Sequence, residues 1–151
     1  MSALDRLTEL GLTLPSVVPP VAAYVPAVRT GNLVYTSGQL PMVDGQLPHT
    51  GLVGGPVTAE QAKDLARTCA LNALAAVDAL VGLAAVVRVV KVVGFVASAP
   101  GFTGQPGVIN GASELLGEVF GEDGRHARSA VGVASLPLDA PVEVELIVEV
   151  A

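Results

Sequence analysis

The chain has 151 residues, of which 51% are hydrophobic, 15% are charged and 3% are aromatic. A chain of this length can bury one hydrophobic core without disulfides or bound metals to support it. A single cysteine excludes an intrachain disulfide. The 14 acidic and 8 basic residues give a net charge of -6 without a basic cluster, so no nucleic-acid partner is expected.

The apolar surplus has two possible explanations, a membrane span or surface buried between subunits. The longest apolar stretch, residues 69–87, contains Asn72 and Asp78 and runs directly into Arg88, which a span would tolerate poorly. We therefore expect no membrane insertion and favour an oligomer. The first residues lack a secretory signal pattern, so a cytoplasmic protein is expected.

The first twenty residues predict a short helix followed by a proline-rich segment. Ser2 can cap a short helix with Asp5 three residues later, and Gly11 should end it. Residues 14–20 are too rich in proline for a helix or a central strand, and they predict an ordered lead-in that crosses the surface.

Turn signals then predict two hairpins. Residues 24–29 and 33–37 flank a Gly-Asn turn, and Asp44-Gly45 marks a second tight turn. Residues 51–56 form a glycine-rich loop without the Lys-Ser/Thr of a phosphate-binding loop, so a nucleotide site is poorly supported.

Helical periodicity predicts two long helices with a strand between them. Thr58 and Gln61 form a capping box for a helix that runs to about Val81, while residues 79–85 are ambiguous. Residues 86–98 are rich in valine and predict a strand buried on most of both faces. The second helix should begin at Thr103 and end at Gly121.

The last stretch alternates in the manner of strands. In residues 142–150 the valines share one face and the glutamates the other, and Pro137 and Pro141 suit a bend before this strand. In residues 127–134, Arg128 shares its face with very small neighbours, which leaves open space around its guanidinium. Two helices on one mixed sheet make an α+β fold.

Few residues suggest chemistry. His49 and His126 are not at ligand spacing, and Cys69 has the register of a core thiol, so no metal site is expected. Glu143, Glu145 and Glu149 alternate along one strand, which is typical of a strand face in contact with solvent. The planar fork of Arg128 could grip a carboxylate or phosphate, or it could form a structural ion pair with Glu143 on the neighbouring strand. Both interpretations stay open at this point.

Several motifs together carry a family resemblance. They are Tyr24-Val25, the run Tyr-Thr-Ser-Gly-Gln-Leu-Pro at residues 35–41, Asn110, and Ala-Arg-Ser-Ala-Val at residues 127–131 with Glu143 downstream. This combination resembles the RidA/YjgF family of imine deaminases, once labelled L-PSP endoribonucleases. Arg125-His126 stands where that family usually has Phe-Pro.

The resemblance implies a single domain over residues 1–151, with residues 1–20 as an extension and a chorismate-mutase-like α+β fold. It implies a homotrimer with inward-packed sheets, one site at each subunit interface and no cofactor. Arg128 would clamp a substrate carboxylate, and Glu143 would orient or activate water. The implied substrate-binding residues are Tyr24, Ser37, Gly38, Asn110 and Ser129.

The implied reaction is the hydrolytic deamination of reactive 2-imino or enamino acids to 2-keto acids and ammonia. Its partners would be a small carboxylate-bearing imine, an enamine or a keto acid. Two alternatives are a non-catalytic trimer that binds a small carboxylate or metabolite in the same clefts, and an endoribonuclease. The acidic net charge argues against the endoribonuclease.

Overall fold

A five-stranded sheet with two long helices packed against it forms the body of the protein, in a computed structural model that describes residues 1–17, 20 and 22–151. The elements in chain order are α1 (Ala3–Glu9), β1 (Ala27–Thr30), β2 (Leu33–Thr36), α2 (Ala59–Val81), β3 (Val86–Ala97), α3 (Gln105–Phe120), β4 (Ala127–Val133) and β5 (Val142–Val150). Short 3-10 turns occupy Leu83–Ala85, Gly121–Gly124 and Pro137–Asp139.

The sheet is mixed, as predicted. Its strand order is β1-β2-β5-β3-β4, and every neighbouring pair is antiparallel except β3 and β4, which are parallel. The last two strands of the chain are therefore separated by β3, and β4 lies at the sheet edge. The predicted α+β architecture is confirmed.

The helix caps and the Asp-Gly turn are present at the predicted positions. Ser2 with Asp5, and Thr58 with Gln61, form reciprocal capping boxes at the starts of α1 and α2. Asp44 and Gly45 both have positive φ, 52° and 78°, which suits a tight turn between Val43 and Gln46.

Some element boundaries differ from the prediction. Helix α3 begins at Gln105 instead of Thr103, because Gly104 occupies the N-cap position. Strand β1 begins at Ala27, since Pro26 ahead of it has no amide hydrogen to donate to a ladder. Part of the predicted lead-in, residues 18, 19 and 21, lies outside the described residues.

The core lies between one sheet face and the two long helices. Helices α2 and α3 pack side by side, and the exposed pairs Lys63–Glu114 and Arg67–Glu118 join their outer surfaces. Cys69 is fully buried, as its register predicted. The sheet side chains that face the helices are Val34, Val92, Val96, Val142, Val144, Leu146 and Val148.

The other face of the sheet carries no covering layer among the described residues. Strand β3 is therefore not buried on most of both faces, and this prediction was wrong, because both long helices pack on the same side. Val87 and Val131 on the open face are each 45% exposed, and Tyr35 is 42% exposed. Across the described ranges, no helix is long and apolar enough to cross a membrane.

Candidate active site

One group of predicted site residues gathers where β2 ends beside β5. Gln39 and Val144 exchange backbone hydrogen bonds of 2.8 and 3.1 Å, which draws Gly38 against the side chain of Glu143. A Cβ added to residue 38 would collide with the Glu143 carboxylate. Glycine at this position leaves room for the Glu143 carboxylate, which any larger residue would displace.

Ser37 holds the chain segment that carries Tyr24. The Ser37 hydroxyl donates to the Val25 carbonyl at 2.6 Å, and the Ser37 amide donates to the Pro26 carbonyl at 2.8 Å. Tyr24 itself is 52% exposed beside this segment. The Ser37 hydroxyl thus has a structural partner within the chain, and Tyr24 lies on the surface ahead of β1.

Glu143 is the carboxylate whose environment most favours proton transfer. Partial burial raises the pKa of the Glu143 carboxyl above its ordinary value, and the negative charge of Glu145 raises it further. A carboxylate with a raised pKa is a stronger base toward water than an ordinary one. Glu143 is thus more than a solvated glutamate on a strand face.

A second group surrounds Arg128 on the edge strand β4. Arg128 is paired in register with Val92, so its side chain lies on the helix side of the sheet and reaches α3. Its Nη1 donates to Asn110 Oδ1 at 2.7 Å and to Ser113 Oγ at 3.2 Å. Asn110 was predicted as a site residue, and here it contacts Arg128 directly.

The remaining donors of Arg128 have no partner within the part of the chain that the structure describes. Among the described residues, neither Nε nor Nη2 has an acceptor, and no carboxylate pairs with the guanidinium. Nε and Nη2 point their hydrogens along one side of the planar group. That edge matches the two oxygens of a carboxylate.

The two groups lie on opposite faces of the sheet within one chain. Glu143 is paired in register with Phe95 on the open face, whereas Arg128 lies on the helix face and β3 separates their strands. A structural ion pair between Arg128 and Glu143 of the same chain is therefore excluded. Ser129, the remaining predicted site residue, is on the open face beside Val93 and apart from Arg128.

Two contributors were missed from the sequence. Ser113, one turn after Asn110, contacts both Arg128 and His126. Asn72 is nearly buried and donates to the carbonyls of Leu40 and Met42 at 3.0 and 3.1 Å, which fixes the loop after Gly38. The signal for Asn72 was an amide within the apolar stripe of a helix, and that for Ser113 was its spacing of three residues from Asn110.

The fold and these two groups define a class of α+β proteins with an arginine held against a helix and a carboxylate on the opposite sheet face. A sequence model described as endoribonuclease L-PSP matches residues 15–150. The chain therefore belongs to the endoribonuclease L-PSP family, which includes the RidA/YjgF proteins.

Similar proteins agree with this membership. Protein TCP17 of Trypanosoma cruzi is 47% identical over 146 residues, which cover 95% of this chain and 91% of that protein. A 2-iminobutanoate/2-iminopropanoate deaminase of Dermatophagoides farinae is 34% identical over 137 residues, covering 91% and 93%. The crystal structure of protein Atu1372 of Agrobacterium tumefaciens superimposes with a TM-score of 0.92 at 52% identity, covering 99% and 92%.

Proposed function

We propose that this protein hydrolyses reactive 2-imino or enamino acids to 2-keto acids and ammonia. The observation that carries the proposal is the Nε–Nη2 edge of half-buried Arg128, which has no acceptor among the described residues while Asn110 holds Nη1. Such an edge fits one carboxylate, and 2-imino acids carry a carboxylate beside an electrophilic C=N bond. The name of the Dermatophagoides relative, a 2-iminobutanoate/2-iminopropanoate deaminase, gives the same substrate class.

The site we propose is shared between subunits of a homotrimer. Within one chain Arg128 and Glu143 face opposite sides of the sheet, so one chain alone does not present both to the same small molecule. The open sheet face also carries half-exposed apolar side chains that a second copy would cover. In this arrangement Arg128 of one subunit and Glu143 of a neighbour meet at a cleft.

The chemistry follows from these two groups. Arg128 holds the substrate carboxylate, which fixes the adjacent imine carbon near a water molecule. Glu143 accepts a proton from this water as its oxygen bonds to the imine carbon. The electron pair of the C=N bond moves to nitrogen, which takes that proton from Glu143 and gives a carbinolamine. Glu143 then carries the hydroxyl proton to the amine nitrogen, the C–N bond breaks as the C=O bond forms, and ammonia departs from a 2-keto acid. No step requires a cofactor.

A non-catalytic trimer that binds a small carboxylate is the second candidate, because the free edge of Arg128 serves binding equally well. Turnover separates it from the deaminase. An endoribonuclease, the activity in the family description, is less well supported, since 14 acidic residues against 8 basic ones make a poor surface for RNA.

The test is an assay of Arg128→Ala with Arg125→Ala as a matched control. Arg125 is three positions away, mostly exposed and paired with Glu122 at 3.6 Å. With 2-iminobutanoate generated in situ, wild type and Arg125→Ala should release ammonia and 2-oxobutanoate above the uncatalysed rate. Arg128→Ala should lose roughly 2–5 kcal/mol of transition-state stabilisation while keeping its melting temperature.

Arg128→Lys should also fail substantially, because an ammonium group cannot reproduce the planar fork. Binding of 2-oxobutanoate without any turnover would favour the non-catalytic candidate. Full activity of Arg128→Ala would contradict the proposed clamp.

A further inference from the structure

A chain of hydrogen bonds runs from the backbone to Arg128 through two side chains that have no role in the chemistry above. His126 Nδ1 lies 2.6 Å from the Gly124 carbonyl oxygen, and His126 Nε2 lies 2.8 Å from Ser113 Oγ. Ser113 Oγ in turn accepts from Arg128 Nη1 at 3.2 Å. All three side chains are half-buried.

The direction of each hydrogen bond is determined by its partners. A carbonyl oxygen can only accept, so Nδ1 of His126 carries the proton and donates to Gly124. In the neutral ring Nε2 is then an acceptor, and it takes the hydroxyl hydrogen of Ser113. The Ser113 oxygen is left with its lone pairs toward Arg128, so the chain has one consistent orientation, which is assigned from these partners.

This orientation acts on one nitrogen of the guanidinium. Nη1 donates to two oxygens, Asn110 Oδ1 and Ser113 Oγ. The planar group is therefore held at two points on one side. Its opposite edge, Nε with Nη2, is presented without a partner among the described residues.

We infer that Ser113 and His126 are positioning residues that hold Arg128 with its Nε–Nη2 edge toward a carboxylate ligand. The inference rests on the proposed function of Arg128. His126 keeps the Ser113 hydroxyl directed away from Arg128, so that the serine oxygen accepts from Nη1 and cannot rotate to leave this donor unpaired. Ordering the arginine before the ligand arrives lowers the entropy lost on binding.

The test compares binding of 2-oxobutanoate, measured by titration calorimetry, in three single variants. Ser113→Ala removes the link, and His126→Leu removes the acceptor for the serine hydroxyl. His126→Gln places an amide oxygen where Nε2 lies and should restore the link. We expect Ser113→Ala and His126→Leu to weaken binding about 3- to 10-fold, and His126→Gln to stay within about twofold of wild type.

The double variant Ser113→Ala/His126→Leu gives a readout that a structural role would not produce. Because one break interrupts the whole chain, the double variant should bind no more weakly than either single variant. His49→Leu, a substitution of an exposed loop histidine, serves as the control and should bind as wild type does. Circular dichroism melting should show Ser113→Ala folded, since alanine is favourable in the middle of α3.

The outcomes distinguish this inference from the proposed function. If wild type fails to bind 2-oxobutanoate, or Arg128→Ala binds it equally well, the carboxylate clamp itself is wrong and the inference falls with it. If Arg128→Ala loses binding but Ser113→Ala and His126→Leu stay within twofold of wild type, the clamp stands and the positioning role is overturned. Additive losses in the double variant, or a His126→Gln variant as weak as His126→Leu, also overturn it.

Discussion

At the scale of single residues, Glu143 and Arg128 have opposite environments that suit opposite tasks. Arg128 is held by the neutral oxygens of Asn110 and Ser113, so its positive charge remains available to a ligand. Glu143 is partly buried, next to Glu145 and against Gly38, and its pKa is raised. A planar cation suits carboxylate binding, and a carboxylate with a raised pKa suits proton transfer.

The raised pKa of Glu143 predicts the pH dependence of turnover. A general base must be deprotonated, so kcat/KM should fall as the pH falls through the pKa of Glu143. Glu145→Gln removes a negative neighbour, lowers that pKa, and should shift the acidic limb of the kcat/KM profile to lower pH. Glu149→Gln, farther along the same strand face, is the control and should leave the limb in place. A shift to higher pH in Glu145→Gln would contradict Glu143 as the base.

The same raised pKa has a consequence for stability. A carboxyl whose pKa is higher in the folded than in the unfolded chain contributes stability at low pH that is lost as the pH rises through the folded value. Glu143→Gln should therefore raise the melting temperature at pH 7 relative to wild type, and the difference should shrink toward pH 4, while turnover is lost. Thermal melts at both pH values check the sign, and a lower melting temperature at pH 7 would count against the argument.

At the scale of elements, the contact between α3 and β3 places the arginine group. Gly94 of β3 lies directly beneath Ile109, and a Cβ at residue 94 would overlap the Ile109 side chain. Asn110 follows Ile109 on the same helix. Arg128 of β4 pairs in register with Val92, which lies two residues before Gly94 on β3. The depth at which α3 sits on the sheet therefore determines whether Asn110 reaches Arg128.

This contact predicts a specific coupling between two positions. Gly94→Ala should destabilise the fold by about 1–3 kcal/mol through overpacking. Ile109→Ala, which removes the overlapping atoms, should cost less in the Gly94→Ala background than in wild type, by more than about 0.5 kcal/mol in a double-mutant cycle of urea melts. Gly107→Ala is the control, because a Cβ there meets nothing within 4 Å and should be neutral or stabilising. Additive costs at 94 and 109 would show that the helix adjusts freely.

At the scale of the whole molecule, the open sheet face has no covering layer among the described residues. It combines half-exposed apolar residues such as Tyr35 and Val131 with a row of glutamates on β5. The chain has few charges to keep such a face solvated alone, since 15% of its residues are charged. A second and third copy of the chain would cover the apolar part of this face.

Assembly is tested by light scattering at micromolar concentration. Wild type should give about three times the 15.2 kDa monomer mass. Val131→Asp, on the open face of β4, should shift the mass toward the monomer and reduce turnover, because a buried charge is costly. Leu80→Asp, an equally exposed apolar position near the end of α2, is the control and should leave the mass unchanged. A monomeric wild type would contradict both the assembly and the shared site.

The local sequence was sufficient to predict several helix starts and turns, the two faces of β5 and the family. Reciprocal side-chain bonds between residues three apart placed the starts of α1 and α2, and Asp44-Gly45 specified its turn. Alternation along residues 142–150 assigned the buried and open faces of β5. The motif residues indicated the family before any fold was considered. These features depend on neighbours in the chain, so they can be read without knowing what packs on them.

The tertiary structure decided what depends on contacts between distant residues. Strand β3 lies between β4 and β5, so Arg128 and Glu143 are not cross-strand neighbours, although only a short connector separates their strands in sequence. Both long helices pack on the same face of the sheet, and among the described residues nothing covers the other face. The link from His126 through Ser113 to Arg128 exists because α3 lies over the edge strand. Strand order and helix placement are set by burial across the whole chain, and no local pattern encodes them.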